Sequence, residues 1–193
     1  ELISASARLY GERTAYTVVM PNGMYGDLSF AEVDRLSDAF AVYLREVAGL
    51  EAGDRVALQA PNSLSIPVVA FGVFKAGCVL VNVNPLYTAD EMGRQFADAE
   101  PKALVVIDMF ADKLTEALQH CTVPNIIVTR VAEFMPAMVK GVIGLIQKHW
   151  DRSIPPIAVA HIRLPDAIAA GEARRQGEKK AVESYTASLD GTA

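Results

Sequence analysis

Between Gly53 and Asp108 the chain alternates two hydrophobic patterns, and that alternation restricts the fold more than any other feature. RVALQA, VLVNVN and KALVVID are short runs rich in Val, Leu and Ile, bounded by Gly, Pro or Asn. Strands buried on both faces of a parallel sheet are written this way, because neither face needs polar side chains. Between them stand SLSIPVVAFGVFKAG and TADEMGRQFADAE, each long enough for a helix of about three turns. Strand, helix, strand, helix, strand predicts βαβ units and an α/β fold with a mostly parallel sheet. A fourth β run, NIIVTRV at 125–131, follows the helical DMFADKLTEALQHC. Right-handed crossovers then give a doubly wound sheet flanked by helices, with consecutive strands mostly neighbours.

The local signals agree. ELISASARLY suits a short helix with Leu2, Ala5 and Leu9 on one side. TAYTVVM, the turn Pro21–Gly23 and MYGDLSF read as a hairpin. Ser29 with Glu32 forms a capping box, and Leu28 is placed to staple onto Val33. The helix that follows carries Val33, Leu36, Phe40, Tyr43, Leu44 and Val47 on one face and stops at Gly49. In the central stretch, Asn62 or Ser63 is expected to open a helix with Pro67 in its first turn and Gly77 at its end. That helix is apolar nearly all round and is expected to be buried on most sides. Thr88 with Glu91 forms a second capping box.

Past Arg130 the pattern changes. EFMPAMVKGVIGLIQKHW is strongly apolar, with Met138, Val142, Ile143, Ile146 and Trp150 as candidate contact residues. SIPPIAVAHIRLPDAIAAG reads as a proline-punctuated extended segment ending in a short turn of helix, and residues 172–193 as a polar, weakly ordered linker. The expected division is therefore 1–131 as an α/β subdomain, 132–171 as an apolar helical and Pro-rich segment, and 172–193 as the linker. The 134–150 run carries Lys140 and Lys148, with Arg152 just beyond, in an acidic chain. Two readings stay open for it: a helix on a membrane surface, or one packed against another subdomain.

Composition narrows the functional classes. The 193 residues are 51% hydrophobic and carry a net charge of −5, which supports a core and argues against nucleic-acid binding. Cys78 and Cys121 lack metal-like or CxxC spacing and read as reduced thiols of a cytoplasmic protein. Glu1 and Arg8 bracket the only N-terminal apolar run, so no signal peptide is read, and no run of about eighteen apolar residues spans a bilayer.

No local motif supplies a catalytic centre. GVFKAG at Gly72–Gly77 has phosphate-loop spacing but lacks the following Lys-Ser/Thr and falls at a helix C-terminus, where the dipole disfavours phosphate. No GxGxxG follows a strand. His120, His149 and His161 stand at no metal-ligand spacing, and His120 suits the last turn of a helix. Ser63 and Ser65 lie outside any G-x-S-x-G and read as helix-start residues. No metal site and no catalytic residue is expected in this chain.

Several strings nevertheless occur together in one order: LSFAEVDRLSDAFAVYL, GDRV, PN, KAG, NPLYT with Glu91, and KAL, followed by EFMPAMVKG and LPDAIAAG. In combination they resemble the N-terminal part of the adenylate-forming enzymes, and most of all the bacterial long-chain fatty-acyl-CoA synthetases. The resemblance covers about Leu2 to Ala193. It implies the N-terminal subdomain of the acyl-CoA synthetase/luciferase-like adenylating fold, and a ligase that uses ATP, magnesium and coenzyme A on a fatty acid. It also implies that the phosphate loop and the remaining catalytic residues lie beyond Ala193, because YTASLDGTA has no Lys and only one Gly. The isolated chain is then an inactive fragment with no cofactor bound, and its partner is the remainder of the ligase.

Ligands of open α/β sheets lie outside the strand C-termini, which makes Asn82, Asn84, Pro85 and Tyr87 candidate pocket borders. The alternative is that Asn84-Pro85 is a turn feeding the Thr88 cap. The second functional reading is a non-catalytic α/β interaction or dimerisation module. The codons after Ala193 separate the two: a Gly/Thr-rich loop with Lys favours the ligase, a stop favours the module. A cytoplasmic location, with peripheral contact at the inner face of the membrane and homo-oligomerisation, completes the expectation.

Overall fold

A computed structural model describes residues 2–20, 22–119, 121–136, 139, 141 and 157–178. The first helix, α1 (Leu2–Tyr10), leads into an antiparallel hairpin of β1 (Thr14–Val19) and β2 (Tyr25–Ser29), as expected. The buried face of α1 is not the expected one. Ile3 is buried, while Leu2 and Leu9 are 77% and 76% exposed. The Ser4 hydroxyl donates to Asp34 at 2.6 Å, and that bond helps fix the rotation that turns Ile3 inward.

Helix α2 (Phe30–Val42) begins with the predicted capping box: Ser29 Oγ accepts from the Glu32 amide, and Glu32 accepts from the Ser29 amide. It continues into a π-helical turn, Tyr43–Val47. The wider turn rotates the register, and Val47 leaves the apolar face that buries Val33, Phe40 and Leu44.

The alternating stretch folds as β3 (Arg55–Gln59), α3 (Ser65–Lys75), β4 (Val79–Asn82), α4 (Ala89–Ala99) and β5 (Ala103–Ile107). At the start of α3 the expected cap is absent. Leu64 occupies the N-cap with no side-chain bond, and the Ser65 hydroxyl reaches Thr129 instead. Pro67 does fall in the first turn, where its missing N–H costs nothing. The helix ends at Gly77 (φ 73), whose amide bonds Phe74 O while the Cys78 amide bonds Val73 O. That paired ending needs a left-handed residue, which glycine supplies without a Cβ clash. Helix α4 starts on the predicted Thr88–Glu91 box. The bonds from Thr88 hold the Glu91 carboxyl below its ordinary range.

Beyond β5 the expected helix is composite, a 3₁₀ turn at Asp108–Lys113 running into α5 (Leu114–Ala117). Strand β6 (Asn125–Thr129) follows, and a fifth parallel strand, β7 (Ile162–Arg163), extends the sheet beyond the four expected. The order is β4-β3-β5-β6-β7, all parallel. Helices α2, α3 and the last described helix, α6 (Leu164–Glu178), share one core with Val56, Leu58, Val105 and Ile127. Ala57, Leu104, Val106 and Val128 face α4 and α5 on the other side. The sheet is therefore covered on both faces, which is why its strands carry no polar alternation.

Helix α6 corrects the reading of the C-terminal region: Gly171 does not close a short turn but lies inside a helix that continues to Glu178. A Cβ at Gly171 would collide with the Ala39 carbonyl oxygen and stand 3.1 Å from the Tyr43 amide nitrogen, so only glycine lets α6 seat on α2. Arg35–Glu172 and Arg175–Asp38 ion pairs flank the contact. The linker reading is left with residues 179–193, outside the described residues. Met138, Val142, Ile143, Ile146, Trp150, His120 and His149 lie outside them as well. Among the described residues no helix is long and apolar enough to cross a membrane.

Candidate functional site at the carboxyl edge of the sheet

After β3 the chain turns to one side to make β4, then crosses to the other side to make β5. The carboxyl ends of β3 and β5 therefore diverge into the crevice where open α/β sheets receive ligands. Polar side chains collect at this edge, while the middles of β3, β5 and β6 are apolar. Gln59 ends β3, Asp108 follows β5, and Thr129 and Arg130 end and follow β6. Register places them side by side, with Gln59 opposite Val106 and Ile107 opposite Thr129.

Gln59 is fully buried, and its Nε2 donates to the Asn84 carbonyl at 3.3 Å. Among the described residues, Gln59 Oε1 and the buried Ser63 Oγ have no hydrogen-bond partner. An unmet buried polar atom costs about 1–3 kcal/mol, so two on one edge mark it as more than packing. Ser65 and Thr129 tie α3 to β6 through hydroxyls 2.8 Å apart. Asp108 is buried, and Arg130 Nε lies 3.4 Å from its Oδ2. Lys113, at the end of the 3₁₀ turn, donates to the Tyr87 carbonyl at 2.9 Å and stands over the Phe110 ring.

All four sequence candidates fall at the carboxyl end of β4, but the bonds they make are turn bonds. Asn84 Oδ1 accepts from the Leu86 amide and Asn84 O from the Tyr87 amide, a local turn that delivers Thr88 to its cap. The exposed Asn82 takes Gln95 on its carbonyl, and Tyr87 packs against the α4–α5 core. Gln59, Ser63, Asp108 and Arg130 were not among the candidates. The signal was present: each apolar run closes on a polar residue, as in RVALQ, ALVVID and IIVTR.

Other chemistry-bearing groups serve the fold. Burial pushes up the Cys78 thiol, against the charge of Arg45, and also the Cys121 thiol, so both stay away from the thiolate. The His161 ring meets the Val159 carbonyl. Gly72 of the GVFKAG string lies in α3, where a Cβ would meet Phe40 at 2.7 Å, so that string is a packing and helix-end element. This edge can bind and orient a polar or anionic group.

The described geometry can be set against known proteins. Residues 3–161 match the family model described as AMP-binding enzyme. A long-chain-fatty-acid–CoA ligase of Salmonella typhimurium is 34% identical over 92% of this chain, which covers 30% of that protein. The chain thus spans about a third of the length of the curated relatives it matches. Among solved structures, an A-PCP didomain of carboxylic acid reductase from Segniliparus rugosus, in complex with AMP, superposes with a TM-score of 0.65 at 19% identity, over 89% of this chain and 26% of that one. A long-chain-fatty-acid-CoA ligase from Archaeoglobus fulgidus gives a TM-score of 0.59 at 23% identity, over 65% of this chain and 26% of that one. Both likenesses establish the fold.

Proposed function

The chain belongs to the AMP-binding enzyme family, and on that premise we propose that it forms the N-terminal part of a long-chain fatty acid–CoA ligase. The observation that supports the reading is the 34% identity to the Salmonella ligase over 92% of this chain. In the proposed reaction a fatty-acid carboxylate attacks the α-phosphate of ATP, giving acyl-adenylate and pyrophosphate. The coenzyme A thiol then displaces AMP to form the thioester. Such an enzyme has to neutralise a triphosphate and hold the carboxylate in line with it.

This chain supplies scaffold to that reaction. Its doubly covered sheet holds the carboxyl edge rigid, and Asn82, Asn84, Pro85 and Tyr87 border the crevice from the β4 side. Residues 1–131 are read as one subdomain of the adenylating domain, 132–171 as a segment typical of long-chain enzymes, and the end of the chain as the approach to the phosphate loop. Among the described residues no group of three His, Cys, Asp or Glu stands together to hold a metal ion. The proposed location is cytoplasmic, with 134–150 meeting either the inner membrane face or the remainder of the ligase.

The test uses two proteins. The isolated chain should show no oleate-dependent exchange between pyrophosphate and ATP above a no-protein control. The product of the whole reading frame, carrying whatever follows Ala193, should show it and should form oleoyl-CoA. Exchange by the isolated chain would overturn the assignment of catalysis to later residues. A stop codon directly after Ala193, with no partner restoring activity, would overturn the ligase reading itself.

A further inference from the structure

We propose that Arg130 is an anion anchor at the carboxyl edge: Asp108 holds its guanidinium through one nitrogen, and the remaining nitrogens receive an oxyanion of the ligand. Position is the first argument. Arg130 follows β6 directly, Asp108 follows β5 directly, and the Ile107–Thr129 register sets the two beside the crevice at the β3–β5 switch. Geometry is the second. Arg130 approaches Asp108 by Nε at 3.4 Å, and its side chain is 53% exposed. Among the described residues the atom that meets Asp108 is thus not one of the terminal nitrogens, which complete the planar fork that matches carboxylate and phosphate.

The surroundings agree with this role. Lys113 brings a second cation to the same edge, and its carbonyl partner Tyr87 accepts only one of its three hydrogens. Both cations stand on one rim of a chain whose net charge is −5, so they are not part of a generally basic surface. The ligand chemistry is an oxyanion, either the carboxylate of an acyl substrate or the phosphate of a nucleotide. Naming those two rests on the ligase reading; the site itself rests on the geometry.

The experiment titrates the 193-residue chain separately with sodium decanoate and with sodium pyrophosphate, following arginine Nε–Hε resonances by NMR. One probe should move the Arg130 resonance saturably, and which one does so identifies the source of the oxyanion. Arg130→Met should weaken that binding about tenfold or more, as expected for a lost charged hydrogen bond. Arg130→Lys, which keeps the charge and loses the fork, should fall between. Arg94→Met, on the exposed face of α4, should leave it unchanged. Circular dichroism confirms that each variant is folded. Absence of saturable binding by both probes overturns the proposal, as does equal weakening by Arg94→Met. So does an Arg130→Met protein that is less stable but binds unchanged, since Arg130 would then serve Asp108 alone. Binding without any ligase activity in the whole product would separate this proposal from the functional one.

Discussion

Lys75 carries its ammonium into a nearly dry position between Asp34 and Asp38, 2.6 Å from each, and also donates to the Asp34 carbonyl. Burial alone would raise the Asp34 carboxyl. Hydrogen bonds from Lys75 and Ser4, and the charges of Lys75 and Arg175, outweigh it and hold the group below its ordinary value near 3.8. A carboxyl lowered by folding adds stability that is complete above its unfolded value and disappears as pH falls through the folded one. Chemical denaturation across pH 3 to 7 should therefore show a steep acid limb below about pH 4, and Asp34→Asn should flatten that limb and lower stability at neutral pH. A limb unchanged by Asp34→Asn would assign the acid sensitivity to other groups. Gly171 offers a second residue-scale test. Gly171→Ala forces a methyl into the Ala39 carbonyl and should cost about 2–3 kcal/mol or more, whereas Ala169→Ser on the exposed side should stay within about 0.5 kcal/mol. Nothing in the sequence distinguishes Gly171 from a helix terminator, because close approach of two backbones leaves no local trace.

At the scale of elements, those with a self-contained signal were legible: both capping boxes, the Gly77 ending, the hairpin and the runs of β3 to β6. Each depends on residues within one or two turns of one another. Elements that depend on distant partners were not. Strand β7 has two residues and exists because β6 offers an edge, and the polar second half of α6 is held by Asp38 and Arg35 from a helix more than a hundred residues earlier. The candidate edge was half legible for the same reason. The switch point needs the strand order, which periodicity does not carry, so β4 drew attention that belonged equally to β3, β5 and β6. Ala173→Pro tests the reach of α6. In a helix interior proline removes a bond and clashes with the preceding turn, costing about 3 kcal/mol or more, while in a loose linker it changes little. Thermal unfolding that does not shift would return residues 172–178 to the linker.

For the whole molecule, the β4 edge of the sheet has no partner strand among the described residues. There β4 pairs only with β3, carries no charge or proline and leaves Val79 48% exposed, while Leu86 in the turn after it is 79% exposed and Phe74 in the helix before it is half-exposed. Sheet edges left apolar tend to find another strand. The chain should therefore self-associate at micromolar concentration in sedimentation velocity runs, and Val79→Lys with Leu86→Lys should return it to monomer. A wild-type monomer under those conditions would show that the edge is tolerated bare. The seat of α6 on α2 bears also on how the chain is made. Helix α2 is complete at residue 42, but the helix that closes over Ala39 ends at residue 178. At about 5–20 residues per second the ribosome needs roughly seven to twenty-seven seconds to deliver it. For that interval the surface around Ala39 waits without the backbone that will cover it, so the last contact of this fold to form is also among the last to be synthesised.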